Sequence, residues 1–253
     1  MPFRWLHFLF LILFCSLLSA RVFDVNTCQA YTNILLGGSL DLVNSYYNNN
    51  HVRSLTAEEV SRVKTSDVPF FDRWAIRKYS PDLDNAGTYL TLASLAHVAI
   101  VNAWDDPYTW DNFLVLSEVL IVQYSLANWT KSLTLRKRPF VYSDDTDLSD
   151  KLKKDARFSF YSNHTTLAFA LAVYSHYYQH YTTRNPYIIA SSYGLAGLVS
   201  LSRISAGAHF PTDIVTGMVV GSVSSYLICR SHRSKRSTKI IWGGNSVLLL
   251  LKF

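Results

Sequence analysis

Ser202-Arg203-Ile204-Ser205-Ala206-Gly207-Ala208-His209-Phe210-Pro211-Thr212-Asp213 places an arginine, a histidine and an aspartate between two apolar segments. Such groups are costly in apolar surroundings unless they pair or do chemistry. Pro211 suits the first position of a helix, which puts Asp213 in the first turn, near the imidazole of His209. Gly207 gives the turn the freedom to bring Arg203 to the same place. A held histidine beside a guanidinium suits attack on an anion, phosphate above all. Read alone, the stretch fits a packed core histidine with a surface ion pair equally well.

The segments on either side, Tyr187–Ser205 and Thr212–Arg230, are near spanning length. Gly87–Trp104, Asp111–Trp129 and His164–Tyr181 are three more of the same kind. Asp105-Asp106-Pro107-Tyr108 is a tight turn between the first two of these. Their Ser, Thr, Gly and Ala content permits close helix packing. The expected fold is all-α, an up-and-down helical bundle crossing a membrane five or six times; a soluble helical bundle could use the same segments. The 253 residues, 49% of them hydrophobic, suffice for one large domain. A mean hydropathy of +0.09 fits a small membrane bundle with polar loops.

The formal net charge of +6 points to a membrane surface or a phosphate-bearing substrate. No basic helix or aromatic-and-basic repeat suggests nucleic acid. Cys15, Cys28 and Cys229 make no disulfide framework, and no Cys/His spacing resembles a zinc site. No metal or other cofactor is expected.

Residues 1–20, with Arg4, an apolar run and Leu18-Ser19-Ala20, read as a signal peptide or an N-terminal anchor helix. Residues 21–86 form an exported or interfacial helical segment. In it Ile34–Val43 is too short to span, Thr56 and Glu59 form a capping box, and Asp67–Tyr79 suits either an interfacial helix or an ordinary amphipathic one. Residues 87–230 are the helical core and 231–253 a basic C-terminal tail. Arg230, Arg233, Lys235, Arg236 and Lys239 make the end after the last segment cytoplasmic. Residues 21–86, 130–163 and 206–211 then lie outside, and 105–110 and 182–186 inside. The Lys and Arg of 130–163 run against that trend and are assigned to a site.

Three polar clusters share the outer face. In Lys131-Ser132-Leu133-Thr134-Leu135-Arg136-Lys137-Arg138-Pro139, a helix would put Lys131 and Arg138 on one face, with Pro139 ending it. Phe158–Thr165 opens the third apolar segment, and a helix N-terminus there offers N–H groups to an anion. The opening stretch is the third. Together, Lys131 to Arg138-Pro139, Ser162-x-His164, and Ser202-Arg203 through His209 to Asp213 resemble the three-part signature of the phosphatidic acid phosphatase type 2 superfamily. That group includes membrane lipid phosphatases, soluble bacterial acid phosphatases and vanadium haloperoxidases. The first and third parts match at every signature position. The second reads Tyr161-Ser162-Asn163-His164 where the family usually has Pro-Ser-Gly-His.

The resemblance implies that residues 87–230 are a phosphatase core. His209 would form a phosphohistidine, Asp213 would orient it, and His164 would protonate the leaving alkoxide and then activate water. Lys131, Arg138, Arg203, Ser162 and the N–H of Asn163 would hold the phosphate oxygens. The implied substrate is a lipid phosphate monoester or diphosphate, such as phosphatidic acid, phosphatidylglycerol phosphate, an isoprenyl diphosphate or a lipid A phosphate. The implied place is the outer, periplasmic face of the inner membrane, with the bilayer as partner. A soluble exported acid phosphatase, a vanadate-dependent haloperoxidase and a non-catalytic lipid-binding relative are the alternatives.

Other polar residues read as structural. Glu118 is expected to pair with a neighbouring Ser or Tyr, and His97, His176 and His180 to be packed. Asp144, Asp145 and Asp147 read as a solvated loop. The glycosylation patterns at Asn128 and Asn163 read as accidental.

Overall fold

The computed structural model describes residues 21–103 and 108–234, and the backbone of 237–243 and 246–252. The leader or anchor expected at 1–20, most of the turn at 105–108, Lys235 and Arg236 lie outside the described residues.

Six long helices carry the fold among these residues: α1 (Thr27–His51), α3 (Pro81–Ala103), α4 (Thr109–Thr134), α6 (Asn163–Tyr181), α7 (Pro186–Ser205) and α8 (Pro211–Ser231). The short helices α2 (Ala57–Ser61) and α5 (Leu148–Lys151) lie in the connections, and α2 carries the expected Thr56–Glu59 capping box. The expected C-terminal tail holds an antiparallel hairpin, β1 (Ser237–Gly243) with β2 (Ser246–Lys252). Thr238, Ile240, Ile241, Trp242 and Val247 are residue types that favour strands.

The long helices alternate in direction, and cross-helix contacts fix the register. Asn33 donates to Glu118 (2.8 Å), Ser125 to the Gly37 carbonyl (2.7 Å), and Asn44 to Ser132 (2.8 Å), so α1 runs parallel to α4. Arg203 pairs with Asp84 while Ser191 meets His97, so α3 and α7 are antiparallel. One end of the bundle therefore gathers residues 52–80, 135–162 and 206–210. Residues 22–24 lie at the other end, where they bond to 232–234. The expected topology, with all of 21–86 outside, is corrected: α1 crosses the bundle, and its first residues lie beside the C-terminal end of α8.

Helix α6 is central and packs against α3, α4, α7 and α8. Tyr174, Leu171 and Ala170 join Val115, Val119, Phe23 and Cys229 in the main core. Its polar groups find partners inward: Ser175 accepts from Asn102 (3.0 Å), and Gln179 donates to Asn102 (2.9 Å). Being enclosed by helices, α6 needs no apolar exterior. Among the described residues, Thr109–Tyr142, Pro186–Ser205 and Pro211–Ser231 are the three stretches long and apolar enough, by length and composition, to cross a membrane. On α8, Val215, Val219, Val223 and Leu227 form an exposed apolar stripe at helical spacing.

Two expectations about local structure change. Thr27–His51 is one long helix, where the sequence offered only Ile34–Val43. Its inner face bonds to α4 through amides, a carboxylate and backbone carbonyls, so it lacks the hydrophobic period that announces a helix. Asp67–Tyr79 is not a helix but a chain of turns, with 3-10 pieces at Thr65–Asp67 and Arg73–Ala75. Pro69 cannot sit inside a helix that needs its N–H.

Helices α6 and α8 approach closely at Gly217 and Gly221. A Cβ on Gly217 would stand 2.8 Å from Thr166 Oγ1, and one on Gly221 would overlap the Thr166 carbonyl oxygen. Gly221→Ala is therefore expected to destabilise the bundle by about 1–3 kcal/mol, the usual cost of overpacking. Thermal unfolding in detergent checks this, and an unchanged midpoint would refute the close-contact reading.

Candidate active site

Each signature residue reaches the site on a different piece of chain. Lys131 lies in the last turn of α4, which stops at Leu135 in a left-handed conformation (φ 48°, ψ 34°). Arg138 is extended (φ −74°, ψ 156°), as a residue before proline prefers, and Pro139 opens a 3-10 turn. Lys131 and Arg138 thus converge across a bend, and the expected continuous helix is corrected. Ser162 caps α6, so Asn163 and His164 occupy its first turn. Arg203 ends α7, where the helix dipole favours a cation. Gly207, at φ +71°, turns the chain so that the N–H groups of Ala208 and His209 fold back onto the Arg203 carbonyl. A Cβ there would also press on the Arg77 carbonyl at 3.0 Å.

His209 is fully buried. Its Nδ1 donates to the Ser159 carbonyl at 2.7 Å, which leaves Nε2 as the unprotonated nitrogen. Nε2 is buried and has no hydrogen-bond partner among the described residues. The titratable groups around it are Arg138, Lys131, Arg203 and His164. Asp213 Oδ2 stands 3.6 Å from Nδ1, behind the Ser159 carbonyl that makes the contact. The expected direct hold of Asp213 on the imidazole is therefore replaced by a hold through Ser159, whose hydroxyl donates to Asp213 at 2.5 Å. Asp213 also accepts from the Phe210 N–H (2.8 Å), closing the first turn of α8.

Two of the three cations are braced. Arg138 is 2.8 Å from Asp155, and Arg203 is 2.5 Å from Asp84. Each keeps a buried Nε with no partner. Lys131 makes no hydrogen bond to a described residue and lies among Arg138, Asp155, Arg203 and Asp213. Gly87 makes room for this arrangement, since a Cβ there would meet Ser202 Oγ at 2.6 Å and Arg203 Cδ at 2.9 Å. His164 Nε2 is 3.3 Å from Thr88 Oγ1. Free N–H groups begin every helix, and those of Asn163 and His164 sit beside this cluster. A tetrahedral anion would meet three cations, an N–H pair and one nucleophilic nitrogen here.

Sequence reasoning missed the braces. Asp84 and Asp155 carry no local signal. Arg136 stood within the first cluster without a role, yet it reaches both Asp213 (2.5 Å) and Asp72 (2.7 Å). Glu118 is structural, as expected, though its partners are Asn33 and His232, each at 2.8 Å, rather than a Ser or Tyr.

A sequence profile of the PAP2 superfamily matches residues 112–237, and the chain belongs to that superfamily. Over 125 residues it is 29% identical to the lipid A 4'-phosphatase of Porphyromonas gingivalis, covering 49% of this chain and 51% of that protein. The chain thus matches about half the length of this curated relative. Two crystal structures are similar: LpxE of Aquifex aeolicus (TM-score 0.47, 19% identity, 66% of this chain and 99% of that one) and a transmembrane PAP2-type phosphatidylglycerolphosphate phosphatase of Bacillus subtilis (TM-score 0.45, 23% identity, 76% and 93%).

Burial, then the cations Arg138, Lys131 and Arg203, hold His209 well below its ordinary value of 6.5. Burial, then Arg203, Lys131 and Arg138, push His164 down to about 3. In both cases the unfolded chain binds a proton below pH 6.5 that the folded chain refuses. Stability therefore falls as pH drops through that value. The thermal midpoint in detergent should drop between about pH 7.5 and about pH 5, and by less in His209→Asn. An equal drop in wild type and variant would contradict this.

Proposed function

We propose that the chain is a membrane-bound phosphatase that removes phosphate from a lipid through a phosphohistidine. The observation that carries this reading is the bare, buried Nε2 of His209 at the centre of Lys131, Arg138 and Arg203. Phosphoryl transfer asks mainly for positioning and for positive charge around the equatorial oxygens. Lys131 Nζ, the free Nε groups of Arg138 and Arg203, and the N–H groups of Asn163 and His164 supply both. Ser162, whose hydroxyl caps α6, holds that N–H pair in place.

The His209 Nε2 lone pair attacks phosphorus, and the bond to the leaving lipid oxygen breaks. His164 gives that oxygen a proton. It resists protonation in the empty site; the negative charge of bound phosphate offsets the surrounding cations and lets it carry one. His164 then takes a proton from water, whose oxygen attacks phosphorus and breaks the P–N bond. Phosphate leaves, and His209 is again neutral. Asn163 stands where the family pattern has glycine, and its buried Oδ1 has no donor. Its N–H still points from the helix start, so the anion cradle survives the substitution.

A cleft of about 570 Å³ opens from Lys131 between α1 and α4, lined by Asp41, Asn44, Asn48, Asn128 and Phe158 among others. It gives the remainder of the headgroup a place to lie. The apolar stripe on α8 favours a bilayer over a soluble acid phosphatase. Phe70, Phe71 and Trp74 are exposed at the site end, as aromatics at a membrane–water boundary are. Arg230 and Arg233, and the lysines and arginines that follow in the sequence, support a cytoplasmic opposite end and with it a site on the outer face. Several of the cations in 130–163 that run against this rule are tied to acids: Arg138 to Asp155, Arg157 to Glu59, and Lys153 to Asp150.

Phosphate release from a panel of lipid phosphates in detergent tests the proposal. His209→Ala should lower the rate at least about a thousandfold, and Lys131→Met roughly a hundredfold. Excess chelator should leave the rate unchanged, since the charge is neutralised by side chains. Unaltered phosphate release by His209→Ala would overturn the mechanism.

A further inference from the structure

Resting on the phosphatase reading, the geometry points to Asp72 and Arg136 as positioning residues that fix the reactive tautomer of His209 through Asp213 and Ser159. Asp72 lies outside the stretch that matches the family profile, in the turns following α2.

The contacts form a closed network. Arg136 Nη1 donates to Asp213 Oδ1 (2.5 Å) and to Thr212 Oγ1 (2.8 Å), while its Nη2 donates to Asp72 Oδ2 (2.7 Å). Asp72 also accepts from the Thr212 N–H (3.1 Å) and hydroxyl (2.6 Å) at the start of α8. The Arg136 carbonyl accepts from the Ser159 N–H at 3.0 Å. The Ser159 hydroxyl donates to Asp213, and its carbonyl takes the Nδ1 proton of His209. The guanidinium also lies over the Phe210 ring, 4.4 Å from its centre. Both carboxylates are fully buried.

The physical role follows. Two buried carboxylates side by side would repel, and one would take up a proton, unless a cation is shared between them. A bidentate arginine serves both at once and leaves each oxygen an acceptor. Asp213 can then hold Ser159 as acceptor only, so the Ser159 carbonyl stays aimed at Nδ1. With Nδ1 protonated, the lone pair sits on Nε2, facing the cations. If the network loosens, the proton can move to Nε2, and that tautomer cannot attack phosphorus. Arg136 and Asp72 touch no substrate; they act through Asp213 and Ser159. A lysine at 136 could reach one carboxylate but not span both.

The test uses the full chain in detergent with ¹⁵N-labelled histidine. The His209 ring, assigned by its loss in His209→Asn, should show the Nδ1–H tautomer in wild type. Asp72→Asn and Arg136→Met should show mixed tautomers and a kcat lower by roughly tenfold or more, the scale of losing an outer partner of a reacting group. KM should stay within about twofold and Arg136→Lys should recover part of the loss. Ser159→Ala, which removes one hydroxyl from the network, should give the same ring signature with least risk to folding. Adding Arg136→Met to Asp213→Asn should cost little beyond Asp213→Asn alone, because the two act in series. A wild-type tautomer signature in Asp72→Asn, Arg136→Met and Ser159→Ala overturns the inference, as do losses that multiply in the double variant. Should wild type release no phosphate from any lipid, the phosphatase reading fails, and the ring signature still decides the positioning one.

Discussion

Buried positive charge is the constraint on which this structure depends. Lys131, Arg138 and Arg203 converge on one small space at the end of a helical bundle. Charges in such surroundings need partners, because the attraction must offset the water they give up. The partners come from distant chain: Asp84 from the start of α3 for Arg203, and Asp155 from the α5–α6 connection for Arg138. The long polar connections are therefore built into the site. They fold over the bundle end through small cores of their own, with Leu55, Val60, Phe140, Val141 and Ala156 in one and Val68, Ala75 and Phe210 in another.

Among the described residues, the Lys131 ammonium and three ring or guanidinium nitrogens at the centre of the arrangement have no hydrogen-bond partner. A buried donor or acceptor left unpaired is expensive. The three nitrogens belong to Arg138, Arg203 and His209, each of which is anchored through another atom, so these side chains are fixed while the nitrogens stay unpaired.

What could be read from the sequence was the part carried by fixed spacing. Five of the six long helices followed from apolar segments, with ends no more than six residues from those observed. The three motifs met at one end because the helices alternate in direction. What could not be read was carried by long-range polar pairing. Helix α1 escaped notice because Asn33, Asp41 and Asn44 face α4 where leucines would have announced it. Asp72 could not be singled out because a lone acid in an aromatic stretch looks the same whether it meets water or a buried arginine. Ser159 acts through its backbone carbonyl, which no side-chain pattern records. Helix α6 has the length of a span without its composition, because neighbouring helices enclose it on its sides.

The polar seam between α1 and α4 bears on how the protein is made. Lipid offers nothing to the amides and the carboxylate along the inner face of α1, so that helix gains little by entering a bilayer alone. Its partners on α4 are synthesised more than eighty residues later, as the pairs Asn33–Glu118 and Asn44–Ser132 show. The seam can therefore close only once α4 is present, and the seat of α1 in the bundle depends on chain made long after it, although α1 is the first long helix of the described residues.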